Sequence, residues 1–229
     1  AGNAHPTIVL HAIRNSLRLR GKYHCHYMNH KALLQTPPLS LYIHIPWCVR
    51  KCPYCDFNSH VAGKELDESA YIAALMTDLD KEIEQYKQDE IQSIFFGGGT
   101  PSLFSAESIA DILAGVTRKI ALAPDCEITL EANPGTFEQE KFTDYRSAGI
   151  NRLSIGIQSF NDDKLNRIGR IHDRKEAIKA IETAYAVGFD NINLDLMFGL
   201  PGQSLSEAAG DVSLACDFEP AHISHYQLT

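Results

Sequence analysis

LSLYIHIPWCVRKCPYCDFNSH, Leu39 to His60, opens with seven residues of apolar, strand-like character and then delivers three cysteines, Cys48, Cys52 and Cys55, on one short loop. The spacing C-x3-C-x2-C brings three thiolates together, which suits a cuboidal iron–sulfur cluster. A 4Fe-4S cluster has four irons and usually takes four cysteines. Three close ligands leave one iron open, where a small molecule can bind and react. Zinc is the alternative, but structural zinc sites are closed by four ligands, typically from paired C-x2-C or Cys/His units. No second pair lies at zinc-ribbon spacing, although His44 or His60 could complete a set. A disulfide is the weaker reading, because odd clustered cysteines in a protein expected not to be secreted point to metal or redox chemistry.

Outward from this stretch, short β-rich runs alternate with longer amphipathic ones. The strand candidates are 39–45, 91–97, 126–132, 151–157, 191–197 and 222–228, rich in Ile, Leu, Phe and Tyr. A helix is expected over 65–86, where Leu66, Ala70, Ala73, Leu75, Leu79 and Ile83 follow the i, i+3, i+4, i+7 stripe. Ser105 caps a second helix with Glu107 and Ser108 in its first turn. Further helices fit 138–148, 174–187 and 204–217, two of them followed by Gly149 and Gly188 at the left-handed C-terminal position. Strand–helix alternation repeated six times implies parallel strands with right-handed crossovers. Near-continuous apolar runs imply burial on both faces. A doubly wound sheet and a (β/α) barrel both fit this spacing. The polar motifs follow successive strands, as in barrels whose sites lie at the C-terminal rim.

Those motifs carry the chemistry. Tyr42 and His44 share one face of the first strand while Leu41, Ile43 and Ile45 take the other. FFGGGTPS, residues 95–102, leaves the second strand through three glycines, which permit positive φ and close backbone approach. It does not match G-x4-G-K-[ST], so a nucleotide P-loop is disfavoured. Glu131 in TLEANPGT ends the third strand, where a carboxylate can accept from an ammonium or ribose hydroxyls, or simply lie exposed. Gln158 in SIGIQSF and Asp195 in NLDLMFGLPG hold equivalent places after later strands, and Arg170 lies in LNRIGRIH. His172, His222 and His225 read as satisfied core or rim histidines before they read as ligands. Cys126 and Cys216 read as buried small hydrophobes.

These motifs, from about Pro37 to Thr229, resemble the radical S-adenosylmethionine (radical SAM) superfamily. Within it they resemble the branch holding heme chaperones of the HemW type and oxygen-independent coproporphyrinogen III oxidases, with the heme-chaperone side the nearer. The resemblance implies an α/β fold, a partial (β/α)6 TIM-like barrel. It implies a 4Fe-4S cluster on Cys48, Cys52 and Cys55 with S-adenosyl-L-methionine (SAM) on the open iron. It sets Tyr42 against SAM, Gly98, Gly99 and Thr100 at the methionine amino group, and Glu131 beside the nucleoside. Positions matching Tyr54, Gly99, Thr100, Gln158, Arg170 and Asp195 contact a second SAM in the oxidase relatives. The implied chemistry is one-electron cleavage of the S–C5′ bond, giving methionine and a 5′-deoxyadenosyl radical. One departure divides the branch. The oxidases carry a fourth cysteine two residues after the third, and here Phe57 stands there, preceded by Asp56. That favours a chaperone that binds heme as cargo and transfers it to an acceptor protein, over oxidative decarboxylation in porphyrin biosynthesis. Radical chemistry stays open, as does whether the chain is an enzyme. The resemblance also implies an electron donor such as flavodoxin or ferredoxin. Relatives continue into a region with an HNxxYW motif absent here, so the chain is expected to be a fragment whose heme-binding residues lie beyond residue 229.

Composition sets the outer bounds. The chain has 229 residues, 44% hydrophobic and 22% charged, which is ordinary for a globular domain. No apolar run reaches the roughly 18 residues of a membrane span, and a cytoplasmic location is expected. A net charge of -8 argues against nucleic-acid binding. Residues 1–55 hold seven Lys or Arg and no acid. The segment could be a transit peptide, but it has few hydroxyl residues and no clear amphipathic stripe. Residues 1–36 are expected to be a poorly ordered extension ahead of a core barrel over 37–229, with Met28 resembling a natural start. His24, Cys25, His26 and His30 could chelate a metal, though incidental histidines are the simpler reading.

Overall fold

Each expected strand from Leu39 onward forms, and the helices between them carry the chain back, so that the strands run parallel. The computed structural model describes residues 8–12, 37–63, 66–86, 90–134 and 138–229. The run from His24 to His30 lies outside them. In chain order the elements are β1 (Ile8–Ala12), β2 (Leu39–Ile45), β3 (Trp47–Cys48), β4 (His60–Val61), α1 (Glu68–Ile83), β5 (Glu90–Gly98), α2 (Ala106–Thr117), β6 (Ala121–Ala132), α3 (Glu138–Ala148), β7 (Arg152–Gln158), α4 (Asp162–Arg167), α5 (Arg174–Val187), β8 (Ile192–Phe198), α6 (Leu205–Asp217) and β9 (His222–Gln227). The main sheet runs β1-β2-β5-β6-β7-β8-β9. Its last six strands are parallel, and β1 pairs antiparallel with β2. This is the expected partial (β/α)6 barrel, with β1 and β9 at its two open edges. β1 falls within the stretch expected to be an extension.

The strands obey a period of two more strictly than their composition suggests. Leu41, Ile43 and Ile45 of β2, Ile94 and Phe96 of β5, Leu153 and Ile155 of β7 and Leu194 and Leu196 of β8 are buried in one cluster with helical Leu75, Leu79, Ile109, Ile112 and Ile181. The alternate residues form a polar inner face. Asn193 Nδ2 donates to Ser154 Oγ at 2.7 Å and to Asp195 Oδ1 at 2.9 Å, and Ser154 Oγ donates to Asp195 Oδ2 at 2.9 Å. The expectation of strands apolar on both faces therefore holds on the helix side only. Ser, Asn and Asp are tolerated inside because they satisfy one another's hydrogen bonds across neighbouring strands.

Local signals end the helices as read. Ser105 Oγ accepts from Ser108 N at 3.1 Å, and Gly188 closes α5 at φ 95°. Two capping boxes, Asp173 with Glu176 and Ser204 with Glu207, start α5 and α6. The short helix α4 and the β3–β4 pair carried no periodic signal. Cys126 is buried as expected, whereas Cys216 is exposed on α6. On that helix Asp211 and Ala215 are the buried residues, and Cys216 follows Ala215 on a different face.

Tyr145 of α3 is fully buried and shares its hydroxyl between the carbonyl oxygens of Ser102 at 2.8 Å and Phe104 at 2.7 Å. It thereby holds the turn that follows the glycine run. Tyr145→Phe leaves the buried Phe104 carbonyl short of this donor, while Ser102 O keeps its bond from Lys141, and should cost about 1–3 kcal/mol. Urea unfolding should show a lower midpoint with an unchanged slope.

Candidate functional site

The cysteine loop is built by its ends. Leaving β2, the chain pairs Trp47 with His60 and Cys48 with Val61 in parallel, through His60 N to Pro46 O at 2.7 Å and Ala62 N to Cys48 O at 2.8 Å. Cys55 N donates to Cys52 O at 3.1 Å inside the loop. The Trp47 ring anchors it beneath, edge-on to Tyr71 at 4.6 Å and stacked on Phe104 at 5.7 Å. Tyr71 Oη in turn donates to His44 O at 2.7 Å. His44 Nε2 donates to Asn58 O at 2.8 Å, which leaves Nδ1 to accept from Tyr42 Oη at 2.9 Å. Both ring nitrogens are thus engaged, so His44 is a brace for the loop rather than a fourth metal ligand.

The end of β5 is stitched to this loop. Gly99 N donates to Ile45 O at 2.8 Å and Thr100 N to Trp47 O at 2.7 Å. A Cβ on Gly99 would stand 2.6 Å from Trp47 O, and one on Gly98, at φ +118°, 2.5 Å from the His44 ring. Glycine is required at both positions for close approach. The Gly98 amide donates to Glu131 Oε2 at 3.2 Å.

Cys48, Cys52, Cys55, Tyr54, Gly98, Gly99, Thr100, Glu131, Gln158, Arg170 and Asp195 all line one cavity of about 400 Å³ at the C-terminal ends of the parallel strands. These are the expected site residues with one exception. Tyr42 is not among the residues that line this cavity, and its ring stacks on Phe95 at 6.2 Å. Sequence reading missed Asn133, whose Nδ2 donates to Thr100 Oγ1 at 3.0 Å while its Oδ1 accepts from Arg170 Nη2 at 2.5 Å. Arg170 also donates to Gly156 O at 2.7 Å and to Cys52 Sγ at 3.8 Å. Asn133 stands two residues after Glu131 in the same motif, and that adjacency was the available signal. Tyr226 was likewise missed. Its hydroxyl donates to Gln158 Oε1, and Gln158 sits at φ 67° beside a register shift in the β7–β8 pairing. That left-handed conformation is uncommon for a residue other than glycine.

The electrostatics follow from burial among like charges. Burial first, then the Asp195 charge, pushes the Glu131 carboxyl to about 7, against the opposing Gly98 N–H. Asp195 is also raised by burial, despite hydrogen bonds from Ser154, Asn193 and Ser224 and the Arg152 charge. Burial takes the Tyr42 phenol to about 12, with Glu131 adding to the shift. Tyr54 reaches about 12 by burial while Arg170 pulls it back. Burial raises the Cys48 thiol, and hydrogen bonds from Thr100 and Ser59 lower it. His172, buried, is pushed down to about 4 by burial and by Arg170, and its Nε2 donates to Ile157 O at 3.0 Å. It is a core histidine as expected, but only half satisfied, because its buried Nδ1 has no hydrogen-bond partner. His222 Nδ1 donates to Asn193 Oδ1 at 2.6 Å and His225 packs on Phe198 at 4.8 Å.

Comparison with known proteins bears on this arrangement. Residues 42–215 match the sequence profile of the radical SAM superfamily. Over 197 residues the chain is 53% identical to the heme chaperone HemW of Escherichia coli (strain K12), covering 86% of this chain and 52% of that protein. Over 197 residues it is 57% identical to the heme chaperone HemW of Haemophilus influenzae, covering 84% and 51%. Among solved structures it is similar to coproporphyrinogen III oxidase (HemN) from Escherichia coli, a radical SAM enzyme, with a TM-score of 0.74 and 26% identity over 82% of this chain and 43% of that one. The chain spans about half the length of the curated relatives it matches. Among the described residues no helix is long and apolar enough to cross a membrane.

The Glu131 shift has a signed consequence. From its ordinary 4.5 to about 7 the folded chain holds that proton more tightly than the unfolded chain. Stability therefore falls as pH rises through this window and levels off above it. Glu131→Gln keeps an acceptor for Gly98 N–H and should flatten that slope. The variant should exceed the parent at pH 8 by on the order of 1–3 kcal/mol. Urea unfolding at pH 5 and pH 8 reads the difference. A parent chain that gains stability over the variant between those values contradicts the assignment.

Proposed function

The chain belongs to the radical SAM superfamily, and from that footing we propose that Cys48, Cys52 and Cys55 hold a 4Fe-4S cluster and the adjoining cavity holds S-adenosyl-L-methionine. We propose further that both serve a heme chaperone, which binds heme and passes it to an acceptor protein. The observation that carries the reading is the convergence of three free thiols and the glycine, carboxylate and arginine motifs on one cavity. The donor set fits the cluster. Cys48, Cys52 and Cys55 stand on one loop as three free thiols that line one cavity. Three cysteines fall one short of a closed structural zinc site and suit a cluster in which several irons each take one thiolate.

When bound, a reduced cluster with SAM on its open iron supplies one-electron chemistry at the sulfonium. The chain's own residues bind and orient. Thr100 and Ser59 give hydrogen bonds that favour the Cys48 thiolate over the thiol. The Gly98, Gly99 and Thr100 amides are engaged within the protein, so what this run offers an ammonium is carbonyl oxygens. Glu131, once ionised, is a second acceptor for an ammonium or for ribose hydroxyls. Arg170 is a cation for a carboxylate, and Tyr54 and Met197 bring apolar surface to the same cavity. In this reading Gln158, Arg170 and Asp195 line the side of the cavity away from the glycine run, and residues 37–229 form the radical SAM core. Reduction comes from a flavodoxin or ferredoxin, in the cytoplasm.

A second reading, oxygen-independent coproporphyrinogen III oxidase, is favoured by the likeness to the solved HemN structure. Phe57, where the oxidases carry a fourth cysteine, weighs against it. Anaerobic incubation of coproporphyrinogen III with SAM and reductant separates the two, since porphyrinogen conversion overturns the chaperone reading.

Anaerobic reconstitution followed by electron paramagnetic resonance with and without SAM tests the cofactor assignment. Cys52→Ser should lose the brown chromophore and Cys126→Ser should keep it, and equal colour in both contradicts the ligand set. Gly98→Val, driven into the His44 ring, should keep the cluster yet weaken SAM binding about tenfold or more. An unchanged SAM perturbation of the spectrum in that variant removes the glycine run from the SAM site.

A further inference from the structure

The stretch LNRIGRIH, Leu165 to His172, closes α4 on a left-handed glycine and places a cation directly after it. Gly169, at φ 73°, donates its amide to Asn166 O at 3.0 Å, and Arg170 N donates to Leu165 O at 3.0 Å. These two bonds are the Schellman closure of a helix, and they fix where the Arg170 side chain starts. A Cβ on Gly169 would stand 2.7 Å from Pro53 Cδ, so the absence of a side chain lets the turn press on the cysteine loop. Ile168 completes the seat. It is buried with Met197 and Leu200 in a small cluster against which Tyr54 packs. The turn is thus docked on both residues that lie between Cys52 and Cys55.

From this seat the half-buried guanidinium spreads over three acceptors. Its Nη2 donates to Asn133 Oδ1 at 2.5 Å and to Gly156 O at 2.7 Å, and its Nη1 to Cys52 Sγ at 3.8 Å. Of the three, the sulfur is the one that can carry negative charge. The other two thiols are served differently. Cys48 is bonded by the hydroxyls of Thr100 and Ser59, and Cys55 Sγ lies 3.9 Å from Ser59 Oγ. A hydroxyl is a neutral donor, whereas a donor that carries charge makes the stronger bond to an anion. We infer that Arg170 is a positioning residue and the counterion of the cysteine loop, acting through Cys52 to make a cluster held there easier to reduce. The inference rests on the cluster assignment and adds to it which residue sets the potential. In the step concerned one electron leaves the reduced flavodoxin or ferredoxin and enters the oxidised cluster, and no bond forms or breaks. The added negative charge is stabilised by a cation beside a ligating sulfur, because net charge and hydrogen bonds to sulfur tune such clusters.

The test is a redox titration, without SAM, of the anaerobically reconstituted 229-residue chain beside its Arg170→Gln and Arg170→Lys variants. Electron paramagnetic resonance counts the reduced cluster, and iron and sulfide content establishes equal loading. At the potential that reduces half of the parent clusters, Arg170→Gln should show a reduced-to-oxidised ratio about threefold lower or less. That is a downward shift of about 28 mV or more, at ~59 mV per tenfold for one electron. Arg170→Lys keeps the charge with fewer donors and should lie nearer the parent than Arg170→Gln does. Equal potentials in parent and Arg170→Gln overturn the inference and leave the cluster assignment standing. An equal drop in both variants does the same, since geometry rather than charge would then set the potential. If Arg170→Gln takes up no cluster, retention by Arg170→Lys supports the counterion role and loss from both overturns it. A parent chain without an iron–sulfur signal overturns the cluster assignment, and the inference with it.

Discussion

Two backbone hydrogen bonds, from Gly99 N to Ile45 O and from Thr100 N to Trp47 O, hold the glycine end of β5 against the cysteine loop, and the site exists only while they do. They demand an approach that leaves no room for a Cβ at Gly99. Because β2 and β5 are parallel neighbours paired from Leu39 to Ile45, the loop and the glycine run necessarily emerge side by side at the same end of the sheet. The Trp47–Tyr71–Phe104 ring cluster then gives the loop an apolar foundation. An otherwise irregular twelve-residue excursion from Cys48 to Ser59 is fixed at both of its ends and from below.

The barrel's two faces do different work, and the division explains its electrostatics. Helix-side positions are aliphatic and fully buried, which supplies most of the driving force for folding. Inward positions carry Ser, Asn, Asp, Glu and Gln, satisfied by one another and walled in by the same strands. Burial raises the proton affinity of both Glu131 and Asp195, and the Asp195 charge adds to the Glu131 shift. Arg170 and Asn133 tie the far wall to the cysteine loop through Cys52 and Thr100, so polar contacts as well as packing fix the cavity's shape.

A second cavity, of about 280 Å³, shares Arg50, Cys52, Thr100, Asn133 and Arg170 with the first. One loop, Cys48 to Cys55, contributes to both spaces. The chain's coverage of about half of its relatives includes both chambers.

Much of this was legible in the residues. Periodicity gave six strands and the helices between them to within a few positions, because apolar spacing directly encodes which side meets the helices. The cysteine spacing and the glycine, glutamate, glutamine, arginine and aspartate motifs declared themselves as local patterns. Polarity inside the barrel was misjudged, since an inward Ser or Asn reads the same as an exposed one until its cross-strand partner is known. Asn133 and Tyr226 stayed hidden for that reason: their roles are hydrogen bonds to residues 37 and 68 positions away. The sequence by itself determined the parallel α/β architecture and the thiolate loop, which depend on contacts near in the chain. Only the tertiary structure decided that eleven of those motif residues face one chamber, that Tyr42 does not, and that a second cavity shares its wall, because burial and charge at a point are sums over segments that the chain brings together only when folded.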